Sequence, residues 1–346
     1  MRFRWVAGML ILPSLAFWIV RLQGKPAGLL SNTVAVVQVD PHHPGTLLAG
    51  TATAMLFRTQ DAGNSWKQLV FPPALHATLH AVLVDPVNPS TYFVALSSET
   101  PLYAGLFRSV DEGATWQKVS DLSRKQVWSL ASWAVDGRVM AAGAQDGVYI
   151  SRDEGQTWNH TAEQSAGPRP VVSLAFDVVN SYTLYAGTPH LAWKTIDGAK
   201  TWRLIQRGMK EDSDIFSIAV DAFDPSNLFV GTCGGIYKSH DGGVTWATLA
   251  KAAGTESRTY VVARAPLSSS IIFAGTSEGL LQSPNAGSTW RWLSRQAVWS
   301  IAFDSAKPGR MYVASNTGIL RSDDGGSHFT EASQGIYGNS LASTVR

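Results

Sequence analysis

Six aspartates and one asparagine recur along the chain at near-constant spacing: Asp61, Asp111, Asp153, Asp197, Asp241, Asn285 and Asp324, with steps of 50, 42, 44, 44, 44 and 39 residues. Carboxylates can serve as acids, bases or metal ligands. Each of these, however, sits inside the same short pattern: Ser/Thr, any residue, Asp, any residue, Gly, any residue, Ser/Thr, Trp. That surrounding suits turn building better than catalysis. The carboxylate accepts hydrogen bonds from backbone amides of its own turn, and Gly supplies positive φ without a Cβ clash. The Ser or Thr adds a local side-chain bond, and the Trp brings a large apolar face. The seven residues are therefore assigned a structural role. Three copies depart from the pattern: Gly198 comes one place early, Asn285 replaces Asp, and Phe329 replaces the final Trp.

Other chemistry-bearing residues do not assemble into a motif. Glycoside hydrolysis needs two carboxylates at a defined separation. Asp146, Asp212, Asp214 and Glu278 are candidates, and nothing in the sequence pairs them. His42 and His43 fall in an Asp-Pro turn and are expected to be solvated rather than metal-bound. The single cysteine, Cys233, excludes an intramolecular disulfide and reads as a passive small residue. There is no P-loop, dinucleotide fingerprint or His-Glu-x-x-His. No catalytic residue, cofactor or metal is expected.

Length and charge set further bounds. The chain has 346 residues, 28 of them Lys or Arg and 26 Asp or Glu, for a net charge of +2. That balance gives no support for nucleic-acid binding. Residues 1–28 read as a signal peptide or an N-terminal membrane anchor. Arg2 and Arg4 precede an apolar run from Trp5 to Val20, and Arg21 and Lys25 follow it. As a helix the run spans about 24 Å, and no A-x-A-like cleavage site follows, which favours an uncleaved anchor. Either form exports the remainder, residues 29–346, to a periplasmic or extracellular location.

The elements that must position these residues follow from aligning the seven turns. Upstream of most lies a strand-like run ending in aspartate, as in Val34–Asp40, Ala81–Asp85, Val171–Asp177, Ile215–Asp221 and Val298–Asp304. A second run ends in Ala-Gly-Thr or a variant, a third leads into the turn, and a fourth is expected to begin at each Trp. Four β-rich runs per repeat, without helical periodicity, describe a four-stranded antiparallel blade. A lone blade leaves its faces uncovered, so blades stack radially. The expected fold is all-β, a single seven-bladed β-propeller. Both termini fall at blade ends, so no blade is obviously completed from both. Residues 335–346 are left to pair with the edge of blade 7 or to fray.

The turns resemble the Asp-box, or BNR, repeats of sialidases, sortilin-type receptors, xyloglucan-degrading glycosidases and a photosystem II assembly factor. The resemblance covers residues from about 34 to 331, and it implies that the Asp-boxes lie on the outer rim, away from a ligand-binding mouth. It implies no single activity. The Phe-Arg-Ile-Pro stretch of sialidases is missing, and the xyloglucan enzymes use two propellers where this chain has room for one. The assembly factor is similar in length, blade number and exported N-terminal segment.

Function is expected on the face opposite the Asp-boxes, where second–third strand loops and inter-blade connections gather. Arg124, Lys125, Arg169, Arg207, Lys210, Arg258 and Arg295 fall on those connections. Tyr103 lies in the longest such loop, in blade 2, as a stacking or packing residue. Trp128 and Trp299 occupy a Val-Trp-Ser-Leu/Ile-Ala run on an innermost strand, at the channel mouth or between blades. The expected role is a non-catalytic, exported or membrane-tethered scaffold for a protein partner. The alternative is a carbohydrate-binding or glycosidase-like propeller with a polysaccharide ligand.

Overall fold

The computed structural model describes residues 33–72, 76–133, 135–161, 167–211, 213–249 and 257–336. The N-terminal apolar run lies outside them, as do Asp212 and residues 337–346. The described residues form seven four-stranded antiparallel sheets, each built from four consecutive strands. Blade 1, for example, pairs Val34–Val39, Leu47–Thr51, Leu56–Thr59 and Lys67–Gln68 in that order. Innermost strands of successive blades pack on one another and on blade 7, closing a ring. This is the expected seven-bladed propeller.

The Ala-Gly-Thr signature has its reason in blade stacking. Second strands such as Leu47–Thr51 and Ile272–Thr276 are buried along their whole length. The glycine in each marks where the next blade's innermost strand presses in. A Cβ on Gly50 would lie 2.3 Å from Leu79 of blade 2, and one on Gly275 would lie 2.5 Å from Val298 of blade 7. Each apolar core therefore belongs to two blades. Leu48, Leu56, Leu79, Val94 and Phe107 form one such shared core between blades 1 and 2.

The Asp-box turns bond to themselves. In blade 5 Asp241 Oδ1 accepts from the Ser239 hydroxyl and the Thr245 amide, both at 2.8 Å, and Oδ2 accepts from the Thr245 hydroxyl at 2.6 Å. Ser239 Oγ in turn accepts from the Gly243 amide at 2.9 Å. Two successive residues take positive φ, Gly242 at 66° and Gly243 at 88°. The fourth copy keeps this geometry, because Ala199 occupies the usual glycine place with φ 72°. Its early glycine instead fills the preceding left-handed position, held elsewhere by Ala62, Glu112, Glu154 and Ala286. The fourth strand begins one residue later than expected, since the Trp ends the turn and pairing starts at Lys67, Gln117 or Ala247.

The same turns hold neighbouring blades. A donor from the third strand of one blade reaches a carbonyl of the next Asp-box. Lys194 bonds Gly242 at 2.8 Å, Lys238 bonds Ala286 at 3.0 Å, Gln282 bonds Gly325 at 3.1 Å and Arg321 bonds Ala62 at 3.0 Å. The last of these spans the ring junction.

Among the described residues, ring closure uses no exchanged strand. Blade 7 is complete at Thr330–Glu331, and the chain from Ala332 to Ile336 crosses onto blade 1. Trp66 Nε1 donates to the Ala332 carbonyl at 2.7 Å and the Trp66 amide to the Gln334 carbonyl at 3.1 Å. Around them Val34, Val37, Tyr312, Ala314, Ile319 and Ile336 form a core common to both blades. The described part of the C-terminal segment thus latches across the junction.

Turns between first and second strands share a face with the Asp-boxes, as the Ala62 amide to Gly45 carbonyl bond at 2.8 Å and its equivalents show. Second–third loops and inter-blade connections share the other face, where the Gln145 amide bonds the Gln126 carbonyl at 3.0 Å.

Candidate functional site

The mouth of the central channel is shaped by a repeated bulge. In six blades the innermost strand carries one extra residue near its start, opposite an uninterrupted second strand. A bulge sets that residue outside the ladder register and re-aims its side chain. The extra residues are Ala35, His80, Trp128, Phe216, Tyr260 and Trp299, all half-buried. Since innermost strands surround the axis, this one position per blade lines the mouth.

Blades 5, 6 and 7 join their bulge residues into an aromatic arc. The rings of Phe216 and Tyr260 are 6.0 Å apart, and those of Tyr260 and Trp299 are 6.5 Å apart. The Arg258 guanidinium lies over Phe216, 5.3 Å from its centroid, with the residue exposed. Burial pushes the Tyr260 phenol up, with Arg258 acting in the opposite sense, so the hydroxyl is a neutral donor at ordinary pH. Stacking faces, a hydroxyl and a cation thus converge. Such a site grips planar or apolar groups and an acceptor or anion beside them.

The basic residues on the connections do not act as one patch. Arg258 reaches the mouth, whereas Arg295 stacks on Trp292 of the outermost strand of blade 6, 4.0 Å from its ring centroid. Lys125 is ion-paired with Asp146 at 2.5 Å, and Tyr149 donates to the same carboxylate oxygen at 3.0 Å. That pairing raises the Lys125 pKa; at Asp146 burial acts upward and is outweighed by Lys125 and Tyr149, which lower it. Arg124, Arg169, Arg207 and Lys210 are exposed, and the Arg207 carbonyl accepts from the Trp246 amide beside the Asp-box of blade 5, away from the mouth. Tyr103 packs with Leu69, Phe71 and Trp116 against the blade 1–2 core. Trp128 stands apart from the arc, with blade 4 and its Val172 between them.

Of the candidate carboxylates among the described residues, Asp146 belongs to blade 3, Asp214 leads into the innermost strand of blade 5 and Glu278 belongs to blade 6. His43 Nδ1 lies 3.0 Å from Asp40 and His42 Nε2 lies 2.8 Å from the Asp85 carbonyl, so both serve the turns between blades 1 and 2. Among the described residues no group of three or more His, Cys, Asp or Glu could hold a metal.

Phe216, Tyr260 and His80 escaped sequence reasoning. They stand in the same alignment column as Trp128 and Trp299, but their flanking residues differ: Ile-Phe-Ser, Thr-Tyr-Val and Leu-His-Ala. The column was the available signal.

Blade topology and self-bonded turns define an Asp-box β-propeller. The family model for sortilin, neurotensin receptor 3 (Sortilin-Vps10) matches residues 104–230. No curated protein matches the chain. Among solved structures, the Niastella koreensis GH74 enzyme superposes with a TM-score of 0.69 at 18% identity, over 84% of this chain and 52% of that one. This chain thus spans about half the length of that enzyme. YCF48 bound to D1 peptide superposes at 0.64 and 16% identity, over 84% of this chain and 93% of that one. YCF48 from Cyanidioschyzon merolae gives 0.63 and 15%, over 87% and 97%. At these identities the likeness is one of fold.

Proposed function

We propose that this propeller is a non-catalytic scaffold that binds a protein partner at the channel mouth, with the aromatic arc of Phe216, Tyr260 and Trp299 and the Arg258 cation as its grip. The observation that carries the reading is that arc: three rings and an exposed guanidinium from consecutive blades. In support, YCF48, which this chain matches over nearly that protein's whole length, has been solved with a peptide bound. Export and tethering through residues 5–20 are part of the proposal. Thr33 accepts from the Ala52 amide in the second–third loop of blade 1, so the described chain begins on the mouth face. A tether there would hold the mouth toward the membrane.

A carbohydrate ligand is the second reading, favoured by the same rings, since sugar faces stack on aromatic side chains, and by the fold shared with GH74 enzymes. Affinity purification of the full chain from its native membranes in mild detergent separates the two. A stoichiometric protein partner lost in Arg258→Glu and Tyr260→Ala supports the scaffold. Absence of any such partner, together with retention on xyloglucan or another polysaccharide that the same substitutions abolish, supports the carbohydrate reading.

A further inference from the structure

The bulge column, followed round the whole ring, marks out a trough across the mouth. Blade 4 has no bulge, but its half-buried Val172 stands in the same alignment column, with its amide bonded to the Gly187 carbonyl at 2.9 Å. Every blade thus contributes one residue. Ala35 in blade 1 and Val172 in blade 4 are small, and the other five carry rings. The two small ones lie on nearly opposite sides of the ring. A line joining them leaves Phe216, Tyr260 and Trp299 on one side and His80 and Trp128 on the other. Two ring-bearing walls therefore flank a path that is open at both ends.

The width of that path limits what can lie in it. Neighbouring rings on the longer wall are 6.0 and 6.5 Å apart. Seven positions at that spacing stand on a circle of roughly 7 Å radius, which puts the two walls on the order of 14 Å apart between ring centres. An α-helix, about 10–12 Å across with its side chains, would fill that distance before the bulk of the rings is counted. A single extended strand is narrower, since neighbouring strands in a sheet lie only about 5 Å apart.

The ring spacing points the same way. Side chains on one side of an extended strand recur every second residue, about 6.6–6.8 Å apart. Taken together, the two spacings on the longer wall lie closer to that step than to the roughly 5.4 Å of a helical turn. A segment laid from blade 1 to blade 4 sends three side chains toward Trp299, Tyr260 and Phe216, and the two between them toward His80 and Trp128. Three against two is the count of an alternating run of five.

The two ends of the path differ. Arg258 is exposed over Phe216, next to the blade 4 gap, and an acidic side chain on the segment would pair with it there. On the shorter wall His80 Nε2 lies 2.6 Å from Ser97 Oγ, at the foot of the long blade 2 loop that carries the turn Pro101–Tyr103.

On the footing that the mouth binds protein, we infer that its ligand is an extended segment of about five residues lying across the channel from blade 1 to blade 4. Apolar or aromatic side chains at alternate positions face Trp299, Tyr260 and Phe216, and an acidic residue sits at the Arg258 end.

The test places a compact diazirine amino acid at position 35, 172 or 260 of the full chain in its native membranes, and maps the adducts by mass spectrometry. Adducts from 35 and 172 are expected on one partner segment, about four to six residues apart, with the adduct from 260 between them. Ala35→Trp and Val172→Trp close the two gaps. Each should lower the yield of the 260 adduct at least tenfold with the thermal midpoint unchanged, whereas Leu102→Trp, on the exposed blade 2 loop, should leave the yield unaltered. An adduct from 260 alone, adducts from 35 and 172 on separate segments, a mapped segment without alternating apolar side chains, or full yield in both Trp variants would overturn the inference while leaving the protein-binding reading in place. No protein adduct from any of the three positions would overturn both.

Discussion

Replacing Trp66 with Ala tests how this ring closes. The side chain is 8% exposed, packs in the core shared by blades 7 and 1, and donates through Nε1 to Ala332. Truncating so buried an aromatic costs about 3–5 kcal/mol, and leaving the Ala332 carbonyl without its donor adds about 1 kcal/mol. Trp158 is the control: it is 4% exposed, but its Nε1 donates to Gly155 in its own turn, and its blade is covalently joined on both sides. Both substitutions should lower the urea midpoint. Only Trp66→Ala should concentrate the loss at the junction, because only there are the neighbouring blades not consecutive in the chain. Native-state hydrogen exchange reads this directly. Amides of 34–39 and 330–336 should exchange roughly a thousand- to ten-thousandfold faster in Trp66→Ala, with blades 3 to 5 little changed, whereas Trp158→Ala should raise exchange in its own neighbourhood. Uniform acceleration around the ring in both variants, or junction amides as protected in Trp66→Ala as in the parent, would refute the noncovalent latch.

Three further outcomes follow from the turns and the stacking. Asp111 is lowered to about 2 by Thr115 and Ser109; at Asp197 and Asp241 burial acts upward but hydrogen bonds from their Thr and Ser partners prevail, again leaving about 2. Folded values below the unfolded one near 4 stabilise the fold above that pH, and the contribution is lost as pH falls from about 4 to about 2. Asp241→Asn should therefore flatten this acid limb of a stability-versus-pH curve, and an unchanged slope would contradict the turn chemistry. Gly275→Val should cost at least about 1–3 kcal/mol, because even its Cβ would enter the space of Val298, and a thermal midpoint equal to the parent's would count against the stacking account. Arg321→Ala removes the donor to the Ala62 carbonyl and should destabilise by about 1–2 kcal/mol, measured by urea unfolding.

Much of the architecture was legible because the repeat writes its constraints locally. Asp241 and its partners lie within six residues, so turn chemistry shows directly in the spacing. The Gly of Ala-Gly-Thr was visible as well, though its cause was not, since the side chain that requires it lies in the next blade. Closure was illegible for the same reason: the Trp66 to Ala332 bond joins residues 266 apart. The mouth was half visible. Trp128 and Trp299 share a local sequence, whereas Phe216 and Tyr260 belong with them only through a bulge, which appears in strand register and not in residue type. Arg295 and Lys125 lie on connections between blades, and their stacking on Trp292 and pairing with Asp146 depend on neighbouring strands and loops that local sequence does not show.

The central proposal, a polypeptide held at the mouth, is tested most directly by a photo-crosslinking amino acid at position 260 in the full chain, irradiated in its native membranes. Crosslinked products are then identified by mass spectrometry, with Arg258→Glu as the control. A single protein partner crosslinked from position 260, and lost in that control, is the predicted result. Products containing glycan, or no adduct beyond background with the chain properly folded, would contradict it.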